Sequence, residues 1–152
     1  MANAQKVAND MLVEIFNDIL NIEENAMQYM GYKDVTMTEV HTIDAIGKND
    51  PKTMGKVAEK LEITVGTLTT AINKLVKKGY VERNRNENDR RIVLIELTDM
   101  GKIVFDAHEE FHREMVENLL KDVNLTDDCE LIRAMANLRD FFKSKRQVIC
   151  HK

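Results

Sequence analysis

Between positions 64 and 77 the chain sets Thr64, Gly66, Thr67, Thr69, Thr70, Asn73, Lys74 and Lys77 against an apolar set, Leu68, Ile72, Leu75 and Val76. At 3.6 residues per turn the two sets fall on opposite faces of one helix. Four threonines and an asparagine do little for helix propensity. They are short groups with hydrogen-bonding atoms, and the threonine methyls add apolar contact, which suits base edges and thymine methyls in a major groove. The N-terminus of such a helix can also donate to a phosphate. A Thr-rich helix face is also found as plain surface, so this face gains weight only from its neighbours. One neighbour is the polar tip from Asn84 to Arg91, with Arg85, Asp89, Arg90 and Arg91 as the candidate contacts. An Arg on a thin β-ribbon can enter a minor groove, where the potential is most negative. Asp89 alone would be repelled by a polyanion, but beside an Arg it can hold the guanidinium in one pose.

The histidines suggest different chemistry. His108 and His112 are four residues apart and project from one helix face, a spacing that can bind a metal ion. Glu109 and Glu110 adjoin them, and Glu24 and His41 stand on the first two helices, so Glu24, His41, His108 and His112 form an alternative metal set. A histidine hydrogen-bonded at a helix junction is the commoner role. Enzyme chemistry has no comparable footing: there is no Gly-rich phosphate loop, nucleophile elbow or suggestive carboxylate pair. Cys129 and Cys150 lie in no redox motif. The expectation is a non-enzyme that requires no cofactor.

The charge distribution sharpens the first reading. The 152 residues carry 22 Lys plus Arg and 26 Asp plus Glu, a net of −4 that argues against nucleic acid when taken alone. From Lys48 to Arg91, however, 11 basic residues face six acidic ones, a local net of +5 that leaves −9 elsewhere. A basic middle between acidic ends presents one face to a polyanion. With 43% hydrophobic and 32% charged residues the chain is neither disordered nor membrane-like. No apolar run approaches the roughly 18 residues of a membrane span, and no signal-like apolar core opens the chain. Two cysteines make no disulfide framework, so the expected compartment is the cytoplasm.

The elements that must position these residues are mostly helices. Val7, Met11, Ile15, Ile19, Ile22, Ala26 and Met30 mark a long first helix ended by Gly31. Thr36 to Glu39 reads as a capping box, followed by Val40, Ile43 and Ile46 and stopped by Gly47. Asp50-Pro51 reads as a loop. Thr53 caps a short helix with Met54, Val57, Ala58 and Leu61, and Thr64 caps the next, which Gly79 stops. The connection at 62–64 is too short for antiparallel packing, so the two helices cross steeply as a helix-turn-helix. The period then becomes strand-like at Tyr80–Arg83 and Ile92–Leu97, a two-stranded hairpin that must lean on the helices. Thr98 caps a long helix and Thr126 a last one. Apolar stripes on the first and last helices have little of their own chain to cover, which points to a two-fold symmetric dimer.

Three features together carry a resemblance to a known family. Asn-Asp-Arg-Arg at 88–91 and Leu-Thr-Asp-Met-Gly-Lys at 97–102 follow Leu61, Thr64, Leu68, Leu75 and Gly79-Tyr80-Val81. The whole pattern resembles the MarR family of winged-helix regulators. That resemblance implies a mainly α winged helix-turn-helix with a two-stranded β wing. Residues 34–97 would form the DNA-binding region, and 1–33 with 98–148 the helical dimerisation region. It implies a homodimer on a palindromic operator, with the Thr64 helix in the major groove and Arg90 or Arg91 in the minor groove. The segments 41–47, 64–70 and 111–116 are similar to family members that repress fatty-acid-biosynthesis genes, which implies long-chain acyl groups on acyl carrier protein as corepressor. A long hydrocarbon needs a dry slot, and Met11, Ile15, Ile19, Met27, Met30, Ile43, Ile46, Val104 and Phe111 are the residues for it, pliable methionines among them. Relatives that sense zinc use a His and carboxylate set like the one named above. Because the fatty-acid-type segments already include His41 and His112, these histidines do not distinguish the two readings.

Overall fold

The computed structural model describes residues 2–29, 34–85, 89, 91–123 and 130–150. The elements run α1 (Ala2–Tyr29), α2 (Met37–Ile46), β1 (Lys52–Thr53), α3 (Met54–Lys60), α4 (Val65–Lys78), β2 (Val81–Arg85), β3 (Val93–Leu97), α5 (Asp99–Leu120) and α6 (Glu130–Cys150). They fall into two compact units, Met1–Glu110 and Phe111–Lys152, with the division inside α5. Among the described residues no helix is long and apolar enough to cross a membrane.

Helix starts in the first unit are set by threonine. Thr36 closes a full capping box: the Glu39 N–H donates to its Oγ1 at 3.3 Å, and its own N–H donates to Glu39 Oε2 at 2.9 Å. Thr53 and Thr64 accept from the N–H of Lys56 and Thr67, so α3 and α4 begin where their caps predict. The α4 stop at Gly79 is left-handed, at φ 83°, a conformation that a side chain disfavours. Gly31 and Thr126, the expected stop of α1 and cap of α6, lie outside the described residues.

The core of the first unit is the apolar side of these helices closed over the sheet. Val40, Ile43 and Ile46 of α2 meet Val57 and Ala58 of α3, Leu68, Ile72 and Leu75 of α4, Val81, Ile95 and Leu97 of the strands, and Val104 of α5. Val76, expected inward, is 38% exposed, because the buried stripe of α4 is narrower than the four-residue set predicted. On α1, Val7, Met11, Ile15 and Ile22 of the expected stripe are exposed, and so are Leu12, Val13, Phe16 and Leu20 beside it.

The sheet differs from the expected hairpin. It has three strands in the order β1-β3-β2. Lys52 and Thr53 pair antiparallel with Ile95 and Leu94 on the edge of β3 opposite β2. The additional strand is only two residues long and follows Pro51, so it leaves no alternating pattern to read. Its ladder flanks the middle of β3, between the base of the hairpin, where Val81 pairs with Leu97, and the far end, where Arg85 pairs with Val93. The hairpin strands are also shifted, with β2 starting at Val81 rather than Tyr80 and reaching Arg85, and β3 starting at Val93.

The start of α5 is clamped to the corner between α4 and β2. Thr98 N–H donates to Tyr80 O at 3.1 Å, Thr98 Oγ1 donates to Gly79 O at 2.6 Å, and Gly101 N–H returns to Thr98 Oγ1 at 3.2 Å. Gly101 is buried here, and a Cβ at that position would stand 2.1 Å from Tyr80 O. Backbone oxygen cannot yield as a flexible side chain would. Gly101→Ala is therefore expected to destabilise the protein by about 3 kcal/mol, the upper part of the overpacking range. Urea unfolding checks this: the midpoint should fall while the slope stays that of the parent.

Candidate nucleic-acid interface

The helix-turn-helix is built on a tight corner. Leu61 and Ile63 N–H groups donate to Val57 and Ala58 carbonyls at 3.0 Å, and Glu62 between them takes φ 55°. A left-handed conformation at a non-glycine residue costs about 1 kcal/mol, the strain accepted for so short a link. Leu68, Ile72 and Leu75 then fix the rotation of α4, because all three are fully buried. Their burial turns Thr64, Gly66, Thr67, Thr70, Asn73, Lys74 and Lys77 to solvent, with Thr69 half-buried. All eight residues expected from the sequence therefore lie on the uncovered side.

Hydroxyl hydrogens on this face can be counted. Thr69 Oγ1 donates to Val65 O at 2.7 Å, so in this rotamer its oxygen is left to accept and its methyl to make contact. Thr64 Oγ1 accepts from Thr67 N–H at 3.1 Å and lies 2.9 Å from Thr67 Oγ1. One hydrogen serves that pair and the other hydroxyl hydrogen is left to point outward. Thr70 Oγ1 reaches Gly66 O only at 3.4 Å, a weak bond that a stronger acceptor displaces. The face thus carries both an acceptor position and donor positions, as reading base edges and phosphates requires.

The far end of α4 is held by charge. Lys78 Nζ donates to both carboxylate oxygens of Glu39, at 2.9 and 2.7 Å, and to the Asp34 carbonyl. Tyr80, buried at the same corner, donates its hydroxyl to Asp34 Oδ1 at 2.8 Å. Burial pushes the Glu39 carboxyl up, but the hydrogen bonds from Lys78 and Thr36 and the Lys78 charge outweigh it, so its pKa lies below the ordinary value.

Beyond Gly79 the chain enters the wing. From Glu82 to Arg85 every residue of β2 is exposed, which places Arg85 on the wing surface together with Arg83, a cation absent from the expected set. Its signal in the sequence is the charge count alone, since the strand pattern ends at Arg83. At the tip, Asp89 Oδ1 accepts the Arg91 main-chain N–H at 2.9 Å, and Ile92 N–H donates to Asp89 O at 3.0 Å. Asp89 thereby shapes the turn that presents Arg91. Arg90 lies outside the described residues.

The histidines form a second cluster. Glu23 Oε2 is 3.8 Å from His41 Nε2, and Glu23 Oε1 is 3.9 Å from His108 Nε2. His108 Nδ1 lies 4.0 Å from Asp44 Oδ1, whose carboxylate also pairs with Lys60 of α3 at 3.5 Å. Glu23 and His108 are buried and His41 is exposed. Of the expected metal set, then, His41 and His108 come together, and the acid between them is Glu23. The Glu24 side chain lies outside the described residues, and His112 belongs to the second unit, its ring edge-on to Phe111 at 5.5 Å. An acid on the inner stripe of α1, one place after Ile22, was the overlooked signal.

The residues named for an acyl slot stand in different surroundings. Ile43, Ile46 and Val104 are closed in the core, whereas Met11 and Ile15 are 55% and 47% exposed. Ile19 is half-buried, as is Phe111 in the second unit. The Met27 side chain and Met30 lie outside the described residues.

A helix pair joined by a tight corner, its second helix polar and partly basic on the exposed side, followed by an exposed basic hairpin, defines a winged helix-turn-helix DNA-binding protein. Comparison with known proteins agrees. The MarR family model matches residues 35–93. The multiple antibiotic resistance protein MarR of Escherichia coli is 30% identical over 100 residues, 62% of this chain and 69% of that protein. Streptococcus pneumoniae FabT, solved in complex with DNA, is 35% identical with a TM-score of 0.76, over 95% of this chain and 99% of that one. Staphylococcus aureus MepR, also solved with DNA, is 25% identical with a TM-score of 0.62, over 86% and 95% of the two chains. The chain spans 61% and 62% of the length of two curated Bacillus subtilis regulators, which it matches at 27% and 29% identity. This chain belongs to the MarR family, whose members are transcriptional regulators and not enzymes.

The Glu39 pair yields a pH test. A carboxyl whose pKa is depressed by folding contributes stability above its unfolded pKa and loses it as pH falls through the folded value. Glu39→Gln should therefore be less stable than the parent at pH 7, and the gap should narrow as pH drops below the ordinary carboxylate range. Denaturant midpoints at pH 7, 5 and 3 measure it; a gap independent of pH would show that the charge is irrelevant.

Proposed function

We propose that this MarR-type DNA-binding regulator is a homodimeric repressor of fatty-acid-biosynthesis genes, acting in the cytoplasm with long-chain acyl-acyl carrier protein as corepressor. The observation that carries the pathway is the likeness to FabT, which extends over 95% of this chain and 99% of that one at 35% identity. In this reading Thr64, Gly66, Thr67, Thr69, Thr70, Asn73, Lys74 and Lys77 enter the major groove of a palindromic operator, and Arg85, Asp89, Arg90 and Arg91 form the wing contact. Two-fold pairing through α1 and the later helices, residues 1–33 and 98–148, sets the half-site spacing. It is supported by Met11, Ile15, Phe16 and Leu20, all exposed along α1, an apolar face of the kind that pairing buries.

Selection of genomic fragments bound by the protein tests the pathway, since the neighbouring genes name it. With an operator so obtained, affinity should rise on adding carrier protein bearing a long acyl chain and not on adding the unacylated carrier. Equal effects of the two would remove the acyl corepressor and leave the regulator intact.

The histidine cluster favours a second reading, a metal-responsive regulator. Ligand atoms of Glu23, His41 and His108 all lie within 4.8 Å of one another. Two imidazole nitrogens and a carboxylate oxygen fit the donor preference of zinc, whose tetrahedral bonds of about 2.0–2.2 Å would require the widest pair of donors to close by roughly 1 Å. Exposed His41 leaves a side open for a fourth ligand. Zinc titrated calorimetrically into the protein should bind one ion per chain, with binding lost in His41→Ala, a surface change that spares the fold. Heats at background would end this reading.

A further inference from the structure

His108 lies buried between two carboxylates, one at each ring nitrogen. Glu23 Oε1 is 3.9 Å from Nε2, and Asp44 Oδ1 is 4.0 Å from Nδ1. The acids beside it on α5, Asp106 and Glu109, are paired with Lys48. Asp44 stands three residues after His41 on α2, so both project from one side of that helix. Its other oxygen, Oδ2, is 3.5 Å from Lys60 Nζ, and Lys60 also donates to the Asp44 main-chain carbonyl at 3.1 Å. Glu23, His108, Asp44 and Lys60 thus form one polar file through α1, α5, α2 and α3, all within the first unit. We propose that Asp44 orients His108 for a metal ion and, through Lys60, carries occupancy of the histidine cluster to the helix-turn-helix. The proposal rests on the metal-responsive reading and gives that site its route to the reading head.

A neutral imidazole has one N–H and one lone pair, on different nitrogens. Coordination takes the lone pair, so a His108 that ligates through Nε2, on the Glu23 side, carries its hydrogen on Nδ1. Asp44 Oδ1 is an acceptor on that side. A carboxylate in this position holds the ring in one orientation and makes it a better donor to the metal. The present 4.0 Å exceeds hydrogen-bonding length, so the bond forms only as ring and carboxylate close by about 1 Å. The two oxygens of a carboxylate move as one, so Lys60 must follow Oδ2 or release it.

Lys60 is placed to transmit that shift. It is the last residue of α3, directly before the Leu61–Ile63 corner and four residues ahead of Thr64, the cap of α4. Val57 and Ala58, just before it, are buried in the same core as Leu68 and Ile72 of α4. A displacement at the end of α3 therefore enters the corner that joins it to α4. The side chains of Asp44 and Lys60 are 43% and 55% exposed, so replacing either leaves the aliphatic core filled.

Zinc titration, read by calorimetry and by its effect on an operator obtained from selected fragments, tests the assignment. The parent should bind one ion per chain, and saturating zinc should change operator affinity about fivefold or more. Asp44→Asn, which keeps the shape and loses the charge, should still bind one ion but about tenfold more weakly. Lys60→Met should bind zinc as the parent does and lose the operator response, whereas Lys60→Arg, which retains the pair, should keep it. Coupling is reciprocal, so operator should shift the zinc affinity of the parent by the same factor and that of Lys60→Met not at all. Parental zinc affinity in Asp44→Asn, or a parental response in Lys60→Met, overturns the assignment and leaves the metal site standing. So does a parent that binds zinc without any change in operator affinity. A parent that binds no zinc removes the metal-responsive reading itself, and the assignment with it.

Discussion

Glu39 serves two helices at once. As the third residue of α2 it completes the capping box with Thr36, and its oxygens also receive Lys78 from the last turn of α4. A buried carboxylate left without Lys78 would lose its main compensation, so the two helices cannot separate at this end without exposing an unpaired charge. The contact also fixes which side of α4 faces α2. Tyr80 bonds Asp34 at the same corner, and Thr98 with Gly101 attaches α5 to the main chain of Gly79 and Tyr80. The base of the wing and the start of α5 both take their position from the end of α4. The reading head is in this sense built around one corner, with polar contacts setting angles that the aliphatic core alone would leave loose.

Much of this was legible in the sequence because helix ends have local chemistry. Thr36, Thr53, Thr64 and Thr98 each stand where a hydroxyl accepts the amide of a first turn, and Gly79 where the chain turns left-handed. Such signals span three or four residues and need no knowledge of the rest of the fold. The features that escaped are those defined by distant partners. β1 exists only because the edge of β3 accepts it. Val76 lies at the margin of an apolar stripe whose width is set by how deeply α4 sinks onto α3 and the sheet. Glu23 was invisible as a partner of His41 and His108 because 18 residues separate it from the nearer one and 85 from the other.

Charge shows the same division between local and distributed information. A net of −4 for the chain conceals +5 between Lys48 and Arg91, a segment that spans β1, α3, α4 and the wing. The structure refines this count, because several of those cations are bound within the protein. Lys78 is held by Glu39, Lys60 by Asp44, and Lys48 by Asp106 at 2.5 Å with Glu109 beside it. Lys74, Lys77, Arg83, Arg85 and Arg91 remain exposed along α4 and the wing. The cations paired with carboxylates and those along α4 and the wing are therefore mostly different residues, and the sequence count adds them together.

This separation bears on why α4 is made of threonines. A helix of poor formers sacrifices several tenths of a kcal/mol at each position relative to alanine. Burial of Leu68, Ile72 and Leu75 offsets that loss, at roughly 1.5–3 kcal/mol for each fully buried side chain. The exposed face is then released from holding the helix together, and its residues can be chosen for their atoms. Thr69 has its hydrogen committed to Val65, while Thr64 and Thr67 share one between them. Short side chains bonded to their own helix lose little entropy on meeting a ligand, because they are already ordered. Lys74 and Lys77 have long, mobile stems and suit a target such as a phosphate, whose charge attracts from any direction. Rigid hydroxyls for pattern and flexible cations for attraction together give this helix both discrimination and salt-sensitive affinity.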